Sequence, residues 1–354
     1  MEPLNVVDYE RLAEQALPHD VFGYYAGGAE DEQTLRDNLA AWTRWHLRPR
    51  VLVDVGAVST STSVLGQDVA LPILLAPVAY QGLAHPDGER GSARAAAATG
   101  TVMCLSTFAN TAPAELAEAV PGGAHWFQLY WFRDRSVMRE LVQQAVDASF
   151  GAVVLTVDAA VPARRERDVR TGFRITPEVP VPSVVAALGN PASGPPGELF
   201  SLVTPSVTWR RLEELSDFGL PVVLKGIVTA EDARLACEHG ASAVVVSNHG
   251  GRQLDGGIPT ADALSEVVDA VEGRIEVYVD GGIRRGSHVV KALALGARAV
   301  LVGRPFLWGL AVDGAAGVER VLELLRAELA HALALCGCTS PADVTPAHVV
   351  RARL

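Results

Sequence analysis

Eight short apolar runs constrain the fold of this chain more than any other feature. Each ends in a polar or glycine-containing turn and leads into a segment rich in Ala, Leu, Glu and Arg. They are LPILLAPVA from Leu71, TVMCLS from Thr101, HWFQLY from His125, AVVLTVD from Ala152, PVVLKGI from Pro221, AVVVSNHG from Ala243, EVYVDGG from Glu276 and AVLVGRP from Ala299. Short Val/Ile/Leu-rich runs suit strands buried on both faces, and their alternation with helical segments marks βα units and a parallel sheet. Eight such units close on themselves, so the expected fold is an α/β (β/α)8 TIM barrel. The intervening segments carry helix signals of their own. TAEDARLACEHG offers Thr229 as a cap, acids in the first turn and Gly240 as a stop, and SHVVKALALG runs from Ser287 to Gly296.

The remaining sequence is arranged around this repeat. Residues 1–70 read as an N-terminal extension of short helices (DYERLAEQAL, DEQTLRDNLAAW) followed by the extended segment RPRVLVDV. The barrel occupies 71–310, and 311–354 form a C-terminal helical segment. The rhythm breaks once, after strand four. Residues 166–208 lack a clear period, with seven prolines between Pro177 and Pro205, and are expected to form a long loop insertion acting as a mobile lid. No second domain boundary is visible, so 1–354 reads as one domain.

Composition excludes several classes of function. A formal charge of −11 and a pI near 5.3 argue against a nucleic-acid partner, which demands clustered basic residues. The first residues lack an apolar signal-peptide core, and no run approaches the roughly 20 apolar residues of a membrane-spanning helix, so a cytoplasmic location is expected. Cys104, Cys237, Cys336 and Cys338 are too few and too unevenly placed for a disulfide framework or a four-ligand zinc site, and no metal is expected.

Active sites of such barrels lie at the C-terminal ends of the strands. Those ends bear Ala79, Ser106, Gln128, Tyr130, Thr156, Asp158, Lys225, His249, Arg252, Asp280, Gly303 and Arg304, a polar ring on apolar strands. DGGIRRG and VGRP set glycines beside Arg284 and Arg304 after strands seven and eight, the usual phosphate site of the fold. A phosphate there means a phosphorylated substrate or a cofactor such as FMN or pyridoxal phosphate, with Asp280 placed to hold hydroxyls of the same ligand. Lys225 suits either a Schiff base or a fixed charge beside a flavin. His249 suits proton transfer, and Arg252, three residues on, suits bidentate capture of a carboxylate. Asp158 is placed to stabilise the imidazolium, and the RRE of Arg164–Glu166 offers a second cation.

From YYAGGAED at Tyr24 to GRP at Gly303, and more loosely to the C-terminus, the chain resembles the FMN-dependent α-hydroxy-acid oxidase and dehydrogenase family. SNHGGRQLD, LKGI, DGGIRRG and VGRP carry the resemblance. It implies FMN as cofactor, His249 as the catalytic histidine supported by Asp158, and a substrate carboxylate held by Arg252, Arg165 and Tyr24, with Tyr130 touching the substrate. It further implies flavin contacts from Pro77, Val78, Ala79, Ser106, Gln128, Thr156, Lys225 and Ser247. The phosphate and ribityl chain are expected at Asp280, Gly282, Arg284, Gly303 and Arg304. Gly27, Val78 and Phe108 depart from the glycolate-oxidase pattern of serine, threonine and tryptophan, and the last alters the substrate pocket.

The stretches APVAYQGLAHPDGE and WFQLYWFRDR look most like the actinobacterial 4-hydroxymandelate oxidases, which serve hydroxyphenylglycine synthesis for peptide antibiotics. The expected substrate is thus (S)-4-hydroxymandelate or mandelate, with Tyr80, Phe108 and Tyr130 edging the aryl group. The product is a benzoylformate, and with O2 as acceptor also H2O2. Small aliphatic 2-hydroxy acids and an acceptor-dependent dehydrogenase are the alternatives within the family, which also implies a homotetramer. Outside it stand a pyridoxal-phosphate barrel using Lys225 and a non-catalytic phosphate-binding barrel.

Overall fold

The computed structural model describes residues 2–189 and 196–352. Helices α1 (Val6–Ala16), α2 (His19–Ala26) and α3 (Gln33–Ala41) are followed by strand β1 (Trp45–Leu47) and the hairpin β2 (Thr62–Val64) and β3 (Gln67–Val69). All eight apolar runs then become strands of a closed barrel: β4 (Ile73–Leu75), β5 (Met103–Leu105), β6 (His125–Leu129), β7 (Val153–Thr156), β8 (Val222–Ile227), β9 (Ala243–Val246), β10 (Glu276–Val279) and β11 (Ala299–Val302). Neighbours pair in parallel, and β11 closes the barrel on β4 through Leu301 opposite Leu74. Between the strands run α4 (Gly88–Thr99), α5 (Pro113–Ala119), α6 (Arg135–Asp147), α7 (Glu166–Thr171), α8 (Pro182–Leu188), α9 (Ala230–Glu238), α10 (Thr260–Val271) and α11 (Gly286–Ala294). Thr229 caps α9 by accepting from the Asp232 N–H, as its position before an acidic first turn predicts.

The insertion after β7 carries α7, α8 and two 3-10 stretches, Pro196–Leu202 and Trp209–Phe218. A bridge between Phe132 and Val203 fastens it to the end of β6. Residues 190–195 of the expected lid lie outside the described residues. The last helix, α12 (Arg304–Cys336), is broken at Asp313–Gly314, where Asp87 accepts from the Ala315 N–H at 3.0 Å. The final strand, β12 (Val349–Arg351), pairs antiparallel with β1, so the N- and C-terminal segments are tied together. Among the described residues no helix is long and apolar enough to cross a membrane.

Side-chain alternation along the strands builds the site. Leu74, Cys104, Trp126, Val154, Val223, Val245, Tyr278 and Leu301 form one buried cluster that fills the barrel, with Val64 and Val69 of the hairpin joining it. Because side chains repeat every second residue, the positions two further on, Ala76, Ser106, Gln128, Thr156, Lys225, Ser247, Asp280 and Gly303, share that inner side at the C-terminal mouth.

One irregularity positions the chemistry. The β8–β9 register shifts between Lys225 and Ile227, and Gly226 between them has φ +118°. A Cβ there would lie 2.6 Å from the Asp158 Cβ, so only glycine lets Asp158 sit against β8. Gly226→Ala is expected to destabilise the protein by about 2–3 kcal/mol, from backbone strain and the clash together. Urea unfolding measures this, and an unchanged midpoint would refute the account.

Candidate active site

The barrel mouth opens into a cavity of about 870 Å3, large for a ligand site and adequate for a cofactor beside a substrate. Of the site residues expected from sequence, all but Asp158 and Ser247 line it. These two stand directly behind the wall. Asp158 Oδ1 lies 2.9 Å from His249 Nδ1, and Ser247 Oγ accepts from Lys225 Nζ at 3.0 Å and from the His249 N–H at 3.1 Å.

His249 has φ +58°, a left-handed conformation that a side-chain-bearing residue keeps only when its surroundings impose it. Asn248 supplies much of that constraint. Its amide and that of Asn38 on α3 donate to one another at 2.8 and 2.9 Å, and Asn248 Oδ1 also accepts from the Gly251 N–H. With Nδ1 facing a carboxylate, that nitrogen carries the hydrogen, which leaves Nε2 with a free lone pair. Burial works to raise the Asp158 carboxyl pKa. Attraction to and hydrogen bonding from His249, with the charge of Lys225, outweigh burial and hold it below the usual carboxylate range.

Lys225 is buried, 3.2 Å from Asp280 Oδ2. Burial alone would lower its pKa, but Asp280 and Asp158 raise it above the ordinary lysine value, so the ammonium stays charged. The other Asp280 oxygen, Oδ1, is buried and has no protein partner. A second polar row spans β5 to β7: Ser106 Oγ lies 3.3 Å from Gln128 Oε1, and Gln128 Nε2 donates to Thr156 Oγ1 at 3.1 Å.

Arginines crowd the far side. Arg304 donates to the carbonyls of Tyr25, Gly27 and Gly250, and Arg252 donates to Gly27, so the carbonyl-rich C-terminus of α2 faces both cations. This partial compensation is not enough. Burial and the neighbouring Arg252 and Arg284 push the Arg304 pKa down to about 9, burial and Arg165 lower that of Arg252, and burial lowers that of Arg284. Such a cluster calls for added anions. A phosphate beside Arg284 and Arg304 and a carboxylate beside Arg252 and Arg165 are chemically suited to it. The loop that bears Arg284 is fixed by packing: Gly282 has φ +74° and its Cβ would lie 1.9 Å from the Asn38 carbonyl, so the 281–284 loop wraps tightly over α3.

Several contributors had no role assigned from the sequence. Tyr25 donates to the Tyr80 carbonyl at 2.6 Å, and Trp42 Nε1 donates to Gly281 at 2.9 Å. Asp255 accepts from the Thr34 N–H at 2.8 Å, and Gln253 lines the cavity. Phe173 stacks on Tyr24 at 4.3 Å, and Phe200 meets Tyr130 edge-on at 5.5 Å, both from the insertion. The four-residue spacing of Thr34, Asn38 and Trp42, which places them on one face of α3 and its C-terminal cap, was the available signal for the N-terminal group. Nothing in the proline-broken insertion marked Phe173 or Phe200.

A parallel barrel whose mouth joins a carboxylate-backed histidine, a buried lysine–aspartate pair and a cluster of arginines defines an enzyme that holds a phosphate-bearing cofactor and acts on an acid. A model of the FMN-dependent dehydrogenase family matches residues 13–351. The chain is 49% identical over 352 residues to an L-lactate oxidase of Nostoc sp., covering 97% of this chain and 96% of that protein. It is 46% identical to glycolate oxidase 3 of Oryza sativa subsp. indica, covering 98% and 96%. The structure of a mandelate oxidase with benzoyl-formic acid superposes with a TM-score of 0.89 at 44% identity over 97% of both chains. The chain therefore belongs to the FMN-dependent dehydrogenase family, and its cofactor is FMN.

The residues fit that cofactor. The orphaned Asp280 Oδ1 suits a ribityl hydroxyl, the arginine cluster suits the phosphate, and the buried ammonium of Lys225 presents a fixed positive charge to the cavity. Among the described residues no cluster of His, Cys, Asp and Glu could hold a metal.

Two outcomes follow from the electrostatics. Lys225→Met leaves Asp280 buried without its cation and is expected to cost about 3–5 kcal/mol in urea unfolding; a loss below 1 kcal/mol would show the pair to be dispensable. Asp158, more acidic folded than unfolded, contributes stability that is complete above pH ~4 and lost as pH falls through its folded value. His249→Ala removes the main attraction opposing burial, so the acid-unfolding midpoint should move to higher pH.

Proposed function

We propose that this enzyme oxidises (S)-2-hydroxy acids bearing an aryl side chain, mandelate and 4-hydroxymandelate, to the corresponding 2-oxo acids. The observation that carries this reading is the aromatic wall of the cavity. Phe108 stacks between Tyr80 at 6.3 Å and Tyr130 at 5.4 Å, with Phe200 at 6.4 Å. All four line the cavity, and offset rings at these distances favour a further ring. The mandelate oxidase likeness supports the same reading.

The geometry supports the roles proposed for the residues. Arg252 and Arg165 take the substrate carboxylate, with Tyr24 between their guanidiniums at 5.0 and 5.4 Å. His249 Nε2 accepts a proton from the substrate, and Asp158 stabilises the imidazolium so formed. Bound FMN supplies the two-electron acceptor, and O2 as final acceptor gives H2O2, in keeping with the small Ala79 side chain in the cavity wall and the oxidase relatives. Lys225 keeps a positive charge on the cofactor's side of the cavity. A second reading, small aliphatic acids as substrates, is favoured by the 49% identity to a lactate oxidase.

A panel of acids separates the two readings. Anaerobic flavin bleaching should be fast with mandelate and 4-hydroxymandelate and slow with lactate and glycolate; the reverse order would establish the aliphatic reading. Peroxide formed in air tests the acceptor. Arg252→Lys, which replaces a planar fork by a point charge, should raise KM for every acid by roughly tenfold or more.

A further inference from the structure

The aryl wall rests on a carboxylate that takes no direct part in the chemistry. Glu89, the second residue of α4, is completely buried. Its Oε1 accepts from the Gln81 N–H at 3.1 Å and the Asn110 N–H at 3.0 Å, and its Oε2 lies 3.4 Å from Thr111 Oγ1. The first donor belongs to the loop after β4, the others to the loop after β5. These loops bear Tyr80 and Phe108, the stacked pair of the wall. Burial pushes the Glu89 carboxyl pKa up, and it is offset by the N–H groups of Asn110 and Gln81 and the Thr111 hydroxyl from these two loops, together with Glu89's own N–H.

Tyr80 has φ +57° and depends on its neighbours to stay there. Its N–H donates to the Phe108 carbonyl at 3.1 Å and its own carbonyl accepts from Tyr25, while Glu89 holds the very next N–H. A second set of bonds runs outward. Asn110 Oδ1 accepts from the Gly82 N–H at 2.8 Å, and Asn110 Nδ2 donates to the Pro180 carbonyl at 2.7 Å, linking both loops to the insertion. A buried carboxylate is costly wherever apolar packing would serve, and here its acceptor capacity is spent on joining two loops.

We propose that Glu89 is a positioning residue for substrate selection: its buried carboxylate fastens the loops after β4 and β5 together and thereby fixes the Tyr80–Phe108 wall that receives the side chain of the acid. The inference rests on the aryl-acid reading above. An acid without a ring makes little use of the wall, so loosening it should penalise aryl acids selectively.

The test compares kcat/KM for mandelate and lactate in the wild-type, Glu89→Gln and Glu89→Ala holoenzymes. Glutamine keeps an acceptor for both N–H groups and an amide facing the Thr111 hydroxyl, so the mandelate-to-lactate ratio should stay within about twofold of wild type. Alanine leaves two buried N–H groups unpaired, so the ratio should fall about tenfold, chiefly through KM for mandelate. Equal losses on both acids, an unchanged ratio in Glu89→Ala, or a Glu89→Gln ratio as low as that of Glu89→Ala would each overturn the proposal. Should the alanine variant not fold, Thr111→Val asks the same question with an expected fall of about threefold, and no fall would count against it. The wild-type ratio alone tests the aryl reading, whereas the change between variants tests Glu89.

Discussion

A single buried ammonium organises this active site. Lys225 on β8 binds Ser247 after β9 and Asp280 after β10, so three adjacent strand ends converge on one charge. Ser247 in turn receives the backbone N–H of His249, and Thr260 at the start of α10 donates to the Asp280 carbonyl. The backbone of His249 and the carboxylate of Asp280 are thus referred to the same point. Inside a protein such a pair is stable only when both partners are further hydrogen-bonded. One Asp280 oxygen is left without a protein partner, and the cofactor chemistry of the family gives that gap a meaning.

The opposite side of the cavity has an excess of positive charge. Burial with Arg252 and Arg284 depresses Arg304, burial with Arg165 depresses Arg252, and the protein's own reply is the carbonyl end of α2 and the backbone of Gly250. Dipoles soften such a cluster without neutralising it. Two external anions, such as a cofactor phosphate and the carboxylate of an acid, would complete the balance.

The N-terminal extension is part of this machinery. Asn38 clasps Asn248, Trp42 holds Gly281, Thr34 meets Asp255, and Tyr25 braces Tyr80. Of the motif SNHGGRQLDGG, the amino-acid types of His249 and Arg252 already pointed to proton transfer and carboxylate capture, and both line the cavity. Asn248 and Asp255 act on the N-terminal helix, more than two hundred residues away in sequence, and no local pattern can announce such a partner.

The barrel itself was legible because strand burial on both faces forces continuous apolar runs, and eight runs with helical spacers admit few other closures. Most of the polar ring was legible for a related reason: with side chains alternating, a polar residue two places beyond a buried one must face the same interior, so Ser106, Gln128, Thr156, Lys225 and Asp280 could point only into the mouth. Tertiary structure alone decided what surrounds that ring. Phe173 and Phe200 come from an insertion without periodicity, Glu89 lies buried beneath an ordinary helix start, and Asn38 looks like any polar residue on a short helix. Sequence determines which side of a strand a residue occupies, because that follows from local geometry. Which loops meet above the barrel follows from packing between distant segments.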